Sequence, residues 1–357
     1  MIDALGNEPP DFAVIGHQES WENIQNFING IRSAEKRPLE IQEIKETFGY
    51  IPPRSICKMR VKSKTGAEIR GIYIDAFIEP DKLDLKNLRI NISKVSDAIK
   101  TAQKLEARII ALGGFTSIVL EGNLEKFDTS KYKITTGNTL TTAYIIKGIE
   151  KAASQANIRF KDCNILIIGA TGDIGMACSR YLKNKVKKLL LCARNRRRLE
   201  EFSAEISEGF EQVKFSNALE DLITEADIII SAASSNDIEI TKVKSPVIIC
   251  DAGYPKNLEK NIADHKGVSL FHGGMGQVLF GYDFIPDYTK FFYDYPAPHI
   301  GHGCILEAVI LAFENKYENY SSGKGNIQKI SIDSIYELSI KHGIELAPFY
   351  NSKGLWA

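Results

Sequence analysis

The chain has 357 residues, with 45 basic and 45 acidic side chains in balance. That length allows two or three domains with proper cores. The neutral balance argues against a general nucleic-acid binder or a polybasic membrane-surface protein. No apolar stretch approaches the roughly 18 to 20 residues needed to span a bilayer, and the opening MIDALGNEPP lacks the basic start and apolar core of a secretory signal, so the chain reads as soluble and cytoplasmic.

In chain order, FAVIGH (12–17) reads as a short first strand. Residues 55–78 alternate apolar and polar on both sides of Lys64-Thr65-Gly66, the pattern of a hairpin. Leu85, Leu88, Ile92, Val95, Ile99 and Ala102 recur in steps of three and four, which predicts an amphipathic helix. ARIIALGGFTSIVLEG follows as a strand, a glycine turn and a further apolar run; residues 134–155 read as a polar turn opening a helix, with Thr135, Thr136 and Asn138 as candidate caps.

From Asn164 the pattern changes. NILIIG, KKLLLCA, QVKFS, DIIISAA, PVIICDAG and GVSLFHGG are short apolar runs separated by helical stretches. Continuous rather than alternating apolar strands belong in a parallel sheet covered on both faces, so this part is a doubly wound α/β domain. The expected division is an α/β substrate domain over 1–157, a doubly wound nucleotide domain over 158–275, and a mainly helical region over 276–357. The last region opens with the aromatic-rich FGYDFIPDYTKFFYDYPAP, continues through GCILEAVILAFE and the loop YENYSSGKGN, and ends in another helical pattern.

ILIIGATGDIGMACSRYL sets Gly169, Gly172 and Gly175 directly after an apolar strand and at the opening of a helix. This relative of the dinucleotide fingerprint allows a tight turn, close approach to a pyrophosphate and close packing of helix on strand. Thr171, Asp173 and Ile174 complete the loop. About 20 residues on, an NAD enzyme usually places an Asp or Glu against the ribose hydroxyls; this chain has Arg194, Asn195 and Arg196 instead. A guanidinium there suits a 2′-phosphate, which favours NADPH. Ala232 and Ala233 end the fourth strand with small residues, which let a nicotinamide ribose approach the backbone. Asp251, Gly253, Tyr254 and Lys256 end the fifth at the edge where such sheets bind ligands, although Asp251 reads equally well as a loop cap.

The six cysteines, Cys57, Cys163, Cys178, Cys192, Cys250 and Cys304, form no C-x-x-C pair, which excludes a disulfide framework and a structural zinc site. Five sit in apolar segments or strands. Cys304 stands at the start of an apolar helix, after Gly301 and Gly303, where a helix N-terminus lowers a thiol pKa. Glu307 falls on the same helical face, with orientation, metal binding or hydrogen bonding as its open roles. His299 and His302 are candidates for proton transfer, packing or capping. Spacing alone leaves a nucleophile and a small buried residue equally open for Cys304.

IGH near the start, ALGGFTSI (111–118), TTGNT (135–139), GATGDIG (169–175), ARN (193–195), GYPKN (253–257) and C-x-x-E-A-x-x-L-x-F-E (304–314) resemble the cyanobacterial-type long-chain acyl-(acyl-carrier-protein) reductases. The resemblance runs over nearly the whole chain and implies reduction of a long-chain acyl thioester to a fatty aldehyde. It further implies Cys304 as the residue that carries the acyl group, and a Rossmann domain that binds NADPH. Gly114, Phe115, Thr116 and Ser117 of the first motif, with Thr136 and Asn138 of the second, would then face the cofactor and bind the thioester oxygen or the nicotinamide amide. The acyl donor would be acyl carrier protein or coenzyme A, the activator Mg2+, and the aldehyde would pass to a consuming enzyme. Leu140 stands where the cyanobacterial members carry a histidine. Rival readings are a relative of glutamyl-tRNA reductase or shikimate dehydrogenase, with Cys57 as the N-terminal cysteine of the former, and a non-catalytic NADP-binding redox sensor.

Overall fold

The computed structural model describes residues 8–356, apart from 34, 121–126, 235–237, 241, 254–255, 257, 259–261, 263–264, 293–294 and 322. The first sheet uses β1 (Phe12–Gly16), β2 (Arg54–Lys62), β3 (Glu68–Asp75), β4 (Ile109–Leu112) and β5 (Lys133–Thr135). β1 is parallel to β3 and β4, and β4 is parallel to β5. β2 and β3 form the antiparallel hairpin expected around Lys64-Thr65-Gly66. Every residue of β1 is buried, because helices cover the sheet on both faces.

Helices α1 (Trp21–Ile31) and α2 (Ile41–Phe48) pack on each other through Trp21, Ile24, Ile44 and Phe48. α3 (Leu88–Lys104) buries Val95, Ala98, Ile99 and Ala102, the stripe its periodicity predicts. The apolar run after β4 is α4 (Phe115–Leu120). α5 (Asn138–Gln155) is buried along most of its length.

β6 (Asn164–Ile168), β7 (Lys188–Cys192), β8 (Val213–Ser216), β9 (Ile228–Ser231), β10 (Val247–Asp251) and β11 (Val268–His272) form the second sheet. The order β11-β10-β9-β6-β7-β8, parallel throughout, is that of a doubly wound dinucleotide-binding domain. Its order reverses between β6 and β9, which opens a crevice above their carboxyl ends. α6 (Asp173–Leu182), α7 (Arg196–Ser207) and α8 (Glu220–Ile223) follow β6, β7 and β8.

The chain after residue 275 carries helices and several short strands. β12 (Met275–Val278), β14 (Ile300–His302) and β15 (Ile344–Leu346) make a small antiparallel sheet. β13 (Tyr282–Ile285) joins the first sheet beside β2, where Arg60 donates to Asp283 at 3.0 Å. This strand of four residues is too brief for its alternation to be read from sequence. α9 (Thr289–Phe292) rests against α1, with the Phe27 and Tyr288 rings 5.0 Å apart. α10 (Gly303–Phe313) buries every residue except Cys304, and α11 (Lys329–Lys341) packs on α5. α10 is apolar all round because it is enclosed between the first sheet, α5 and α11.

Candidate active site

The carboxyl ends of β1, β4, β5, β6, β9, β10 and β11 border one cavity of about 710 Å³. Gly114, Ser117, Thr136 and Asn138 line it from the first sheet. Gly172, Asp173, Ile174, Ala232, Ala233 and Gly253 line it from the second, and His302 and Cys304 from β14 and α10. Two motifs far apart in sequence therefore share one space with the thiol.

The nucleotide side is built by close backbone contact. Gly169 has φ +83°, and a Cβ there would fall 2.9 Å from the Ala232 carbonyl. A Cβ at Gly175 would fall 2.2 Å from the Gly169 carbonyl oxygen, so the helix sits directly on the turn. This glycine-rich turn, opening into the N-terminus of α6, fits the pyrophosphate of a dinucleotide. Arg194 and Asn195 are exposed beyond the end of β7. Asn195 caps α7 through the Arg198 amide at 3.0 Å, and Arg196 is paired with Glu200 at 2.8 Å. Of these three residues, Arg194 alone has no ion pair or hydrogen bond of its side chain among the described residues. Tyr254 lies outside the described residues. Asp251 is fully buried and accepts from the Gly253 and Leu258 amides, so the loop-cap reading holds for it. Lys256 donates to the Asp251 carbonyl at 2.8 Å and lines the cavity.

Cys304 lies in the first turn of α10, pressed against the start of α5. Gly137, at φ +68°, touches the Cys304 backbone, and Gly303 touches Thr141 in the same way. The expectation of a lowered thiol pKa is corrected here. Cys304 is half-buried in the cavity wall, and desolvation there pushes its thiol up, with the amides of Gly114, Ile305 and Cys304 itself only partly offsetting it. The helix start and those amides can hold charge on sulfur, but desolvation is the larger effect.

Glu307 is absent from the cavity wall and fully buried. Its carboxylate accepts from the Thr135 hydroxyl, the Ser321 hydroxyl (2.8 Å) and the Leu140 amide (2.8 Å). Burial outweighs these bonds and pushes its pKa up to about 7. These bonds tie the first turns of α10 to the end of β5, the start of α5 and the loop at Ser321. No group of three His, Cys, Asp or Glu side chains suited to a metal ion occurs among the described residues.

The ALGGFTSI and TTGNT residues divide. Gly114 and Ser117 face the cavity, whereas Phe115 belongs to the core beneath α3 and Thr116 bonds back to the Gly113 and Ile15 carbonyls. Those two side chains are not positioned to bind a substrate. The Thr136 hydroxyl donates to the Ser321 carbonyl at 2.6 Å, and the Asn138 amide donates to Asp173 at 2.8 Å. Asn138 thus links α5 to the fingerprint loop.

His302 precedes α10 and shares a 2.6 Å hydrogen bond with the Tyr295 hydroxyl. Burial, then Lys256, His272 and His17, push its pKa down to about 3, so its ring is neutral at physiological pH. His299 stands three residues earlier and does not line the cavity. Two cavity residues escaped the reading of individual side chains. His17 accepts from the Phe115 amide at 3.1 Å and holds the loop that carries Gly114. His272 ends β11 beside Gly273 and Gly274. The sequence signal for His17 is its place in the IGH motif, and that for His272 is its position at a strand end.

The model of the family described as shikimate / quinate 5-dehydrogenase matches residues 150–272, the doubly wound part of the chain. Long-chain acyl-[acyl-carrier-protein] reductase of Synechococcus elongatus is 31% identical over 359 aligned positions, covering 94% of this chain and 98% of that protein. Glutamyl-tRNA reductase of Actinobacillus succinogenes is 26% identical over 51% of this chain and 44% of its own. Among solved structures, L-tryptophan dehydrogenase of Nostoc punctiforme overlaps 93% of this chain and 79% of its own, at 12% identity and a TM-score of 0.38. The full-length likeness at 31% identity decides between these relatives: the chain is an oxidoreductase that belongs to the long-chain acyl-[acyl-carrier-protein] reductase family.

Proposed function

We propose that this chain reduces a long-chain acyl thioester, delivered by acyl carrier protein, to a fatty aldehyde with NADPH, through an acyl group held on Cys304. The observation that carries the reading is that Cys304 lines the same cavity as the fingerprint loop, at the start of a buried helix. The Cys304 sulfur attacks the thioester carbonyl, its proton leaves with the carrier thiol, and the acyl group remains on the enzyme. Covalent catalysis of this kind divides one difficult substitution into two easier steps. NADPH bound at the fingerprint would supply the hydride that turns the acyl carbonyl into a hemithioacetal oxyanion on Cys304. Collapse of that oxyanion breaks the carbon–sulfur bond, releases the aldehyde and returns Cys304 as thiolate, which takes its proton back from solvent. The amides of Gly114 and Ile305 hold the charge that appears on sulfur at that moment. Gly114 and Ser117 stand on the substrate side, while Glu307, Thr135 and Ser321 fix the two helix starts that place the thiol.

The glutamyl-tRNA reductase reading needs a reactive N-terminal cysteine. Cys57 is buried in β2, away from the cavity, and burial pushes its thiol up to about 12. The experiment is incubation with a long-chain acyl thioester without NADPH, followed by peptide mapping. One acyl group should appear on Cys304, and later addition of NADPH should discharge it as aldehyde. Cys304→Ser should keep NADPH binding and lose both steps, whereas Cys57→Ser should lose neither. Acyl label on Cys57, or parent-rate aldehyde from Cys304→Ser, would overturn the assignment.

A further inference from the structure

The loop YENYSSGKGN after α10 is more than a connection. Its residues bridge the two sheets across the cavity. On one side the Ile134 amide donates to Asn319 at 2.9 Å, and the Thr139 amide donates to the Ser321 hydroxyl at 3.0 Å. On the other, the Gly325 amide donates to Asp173 in the first turn of α6 at 2.8 Å, and Arg180 of α6 donates to the Gly325 carbonyl at 2.6 Å. Between these anchors, Gly323 and Lys324 line the cavity beside Gly172 and Ile174.

We propose that Lys324 is a further cofactor-binding residue, which places its ammonium against the pyrophosphate of the dinucleotide; this rests on the cofactor reading above. Three facts converge on it. The fingerprint loop lacks a basic side chain, since the segment from Gly169 to Gly175 contains only the acidic Asp173. Both oxygens of Asp173 accept hydrogen bonds, one from Asn138 and one from Gly325, so this carboxylate anchors the loop beside the phosphate position. Lys324 is the residue adjacent to that anchor, and it lines the cavity. A compact cation on a flexible stem suits a pyrophosphate held at the N-terminus of α6, where the Gly325 amide meets Asp173. The phosphate of a pantetheine arm has the same chemistry, but the Gly325 anchor ties Lys324 to α6 and hence to the nucleotide.

The test compares the full-length parent with Lys324→Ala and Lys324→Arg. NADPH and NADH binding are titrated by nicotinamide fluorescence without thioester, and Cys304 acylation is followed by mass spectrometry without cofactor. Loss of one charge-assisted contact predicts roughly ten- to hundredfold weaker binding of both cofactors to Lys324→Ala. The factor should be the same for each, since both contain the pyrophosphate. Lys324→Arg should retain most affinity, and acylation should be unchanged in both variants. Lys324 is exposed, so these changes leave the core intact. Parent-like cofactor binding by Lys324→Ala would overturn the proposal. So would a defect confined to acylation, which would assign the ammonium to the pantetheine phosphate, or one confined to NADPH, which would place it at the 2′-phosphate. Failure of the parent to bind either cofactor would instead remove the cofactor reading on which the proposal stands.

Discussion

Gly137 and Cys304 meet backbone to backbone: a Cβ on Gly137 would stand 2.0 Å from the Cys304 Cα and 2.4 Å from its carbonyl oxygen. The glycine of TTGNT is thus a spacer that lets two helix starts meet at the thiol. Gly137→Ala must adopt the left-handed conformation at a cost of about 1 to 3 kcal/mol and also push α10 away. The expected result is a lower melting temperature and Cys304 acylation slowed by about a hundredfold, the scale of an ångström-sized misplacement. Parent-like acylation by this variant would show that the contact does not position the thiol.

Cys304 carries a thiol held above its ordinary value by burial. An ordinary thiol titrates at about 8.5. Alkylation of Cys304 by iodoacetamide should therefore accelerate with pH and still be rising beyond about pH 9. The other cysteines are buried, so peptide mapping isolates this one. A plateau below about pH 8 would mean that the helix start and the amides outweigh desolvation after all.

Glu307 has a folded pKa of about 7, above its ordinary 4.5. The folded chain therefore binds its proton more tightly than the unfolded chain does. From this group, stability is greatest below the ordinary value, falls as pH rises towards the folded pKa, and above it the loss is complete, at most about 3 kcal/mol. Glu307→Gln removes the titration while keeping an acceptor for the Leu140 amide. Its stability relative to the parent should rise between pH 5 and pH 8, as read by urea melts. A difference independent of pH would contradict the burial of a titrating carboxyl here.

Arg194 is expected to meet the 2′-phosphate, being exposed past β7 without the ion pair that engages Arg196. Arg194→Asp should weaken NADPH binding by roughly 1.5 to 3 kcal/mol and NADH binding far less. Equal dissociation constants for the two cofactors in the parent would remove the basis for this assignment.

The doubly wound domain was legible residue by residue. Its inner strands β6, β7, β9 and β10 are continuously apolar because both faces are covered, and its glycines sit where a strand turns into a helix, so composition and local spacing determine it. The hairpin around Lys64-Thr65-Gly66 and the stripe of α3 were legible for the same reason, and so was the placing of Cys304 at a helix start. Contacts between distant segments were not. Nothing local in TTGNT says that Gly137 presses on Cys304, that Asn138 holds Asp173, or that Ser321 and Glu307 share a bond 14 residues apart. The strand Tyr282–Ile285 exists only because the edge of β2 is there to pair with it. The direction of the Cys304 shift likewise depends on how much of the protein surrounds the sulfur. The helix start is written in the sequence, whereas desolvation is a property of the packed interior, and the packed interior prevails.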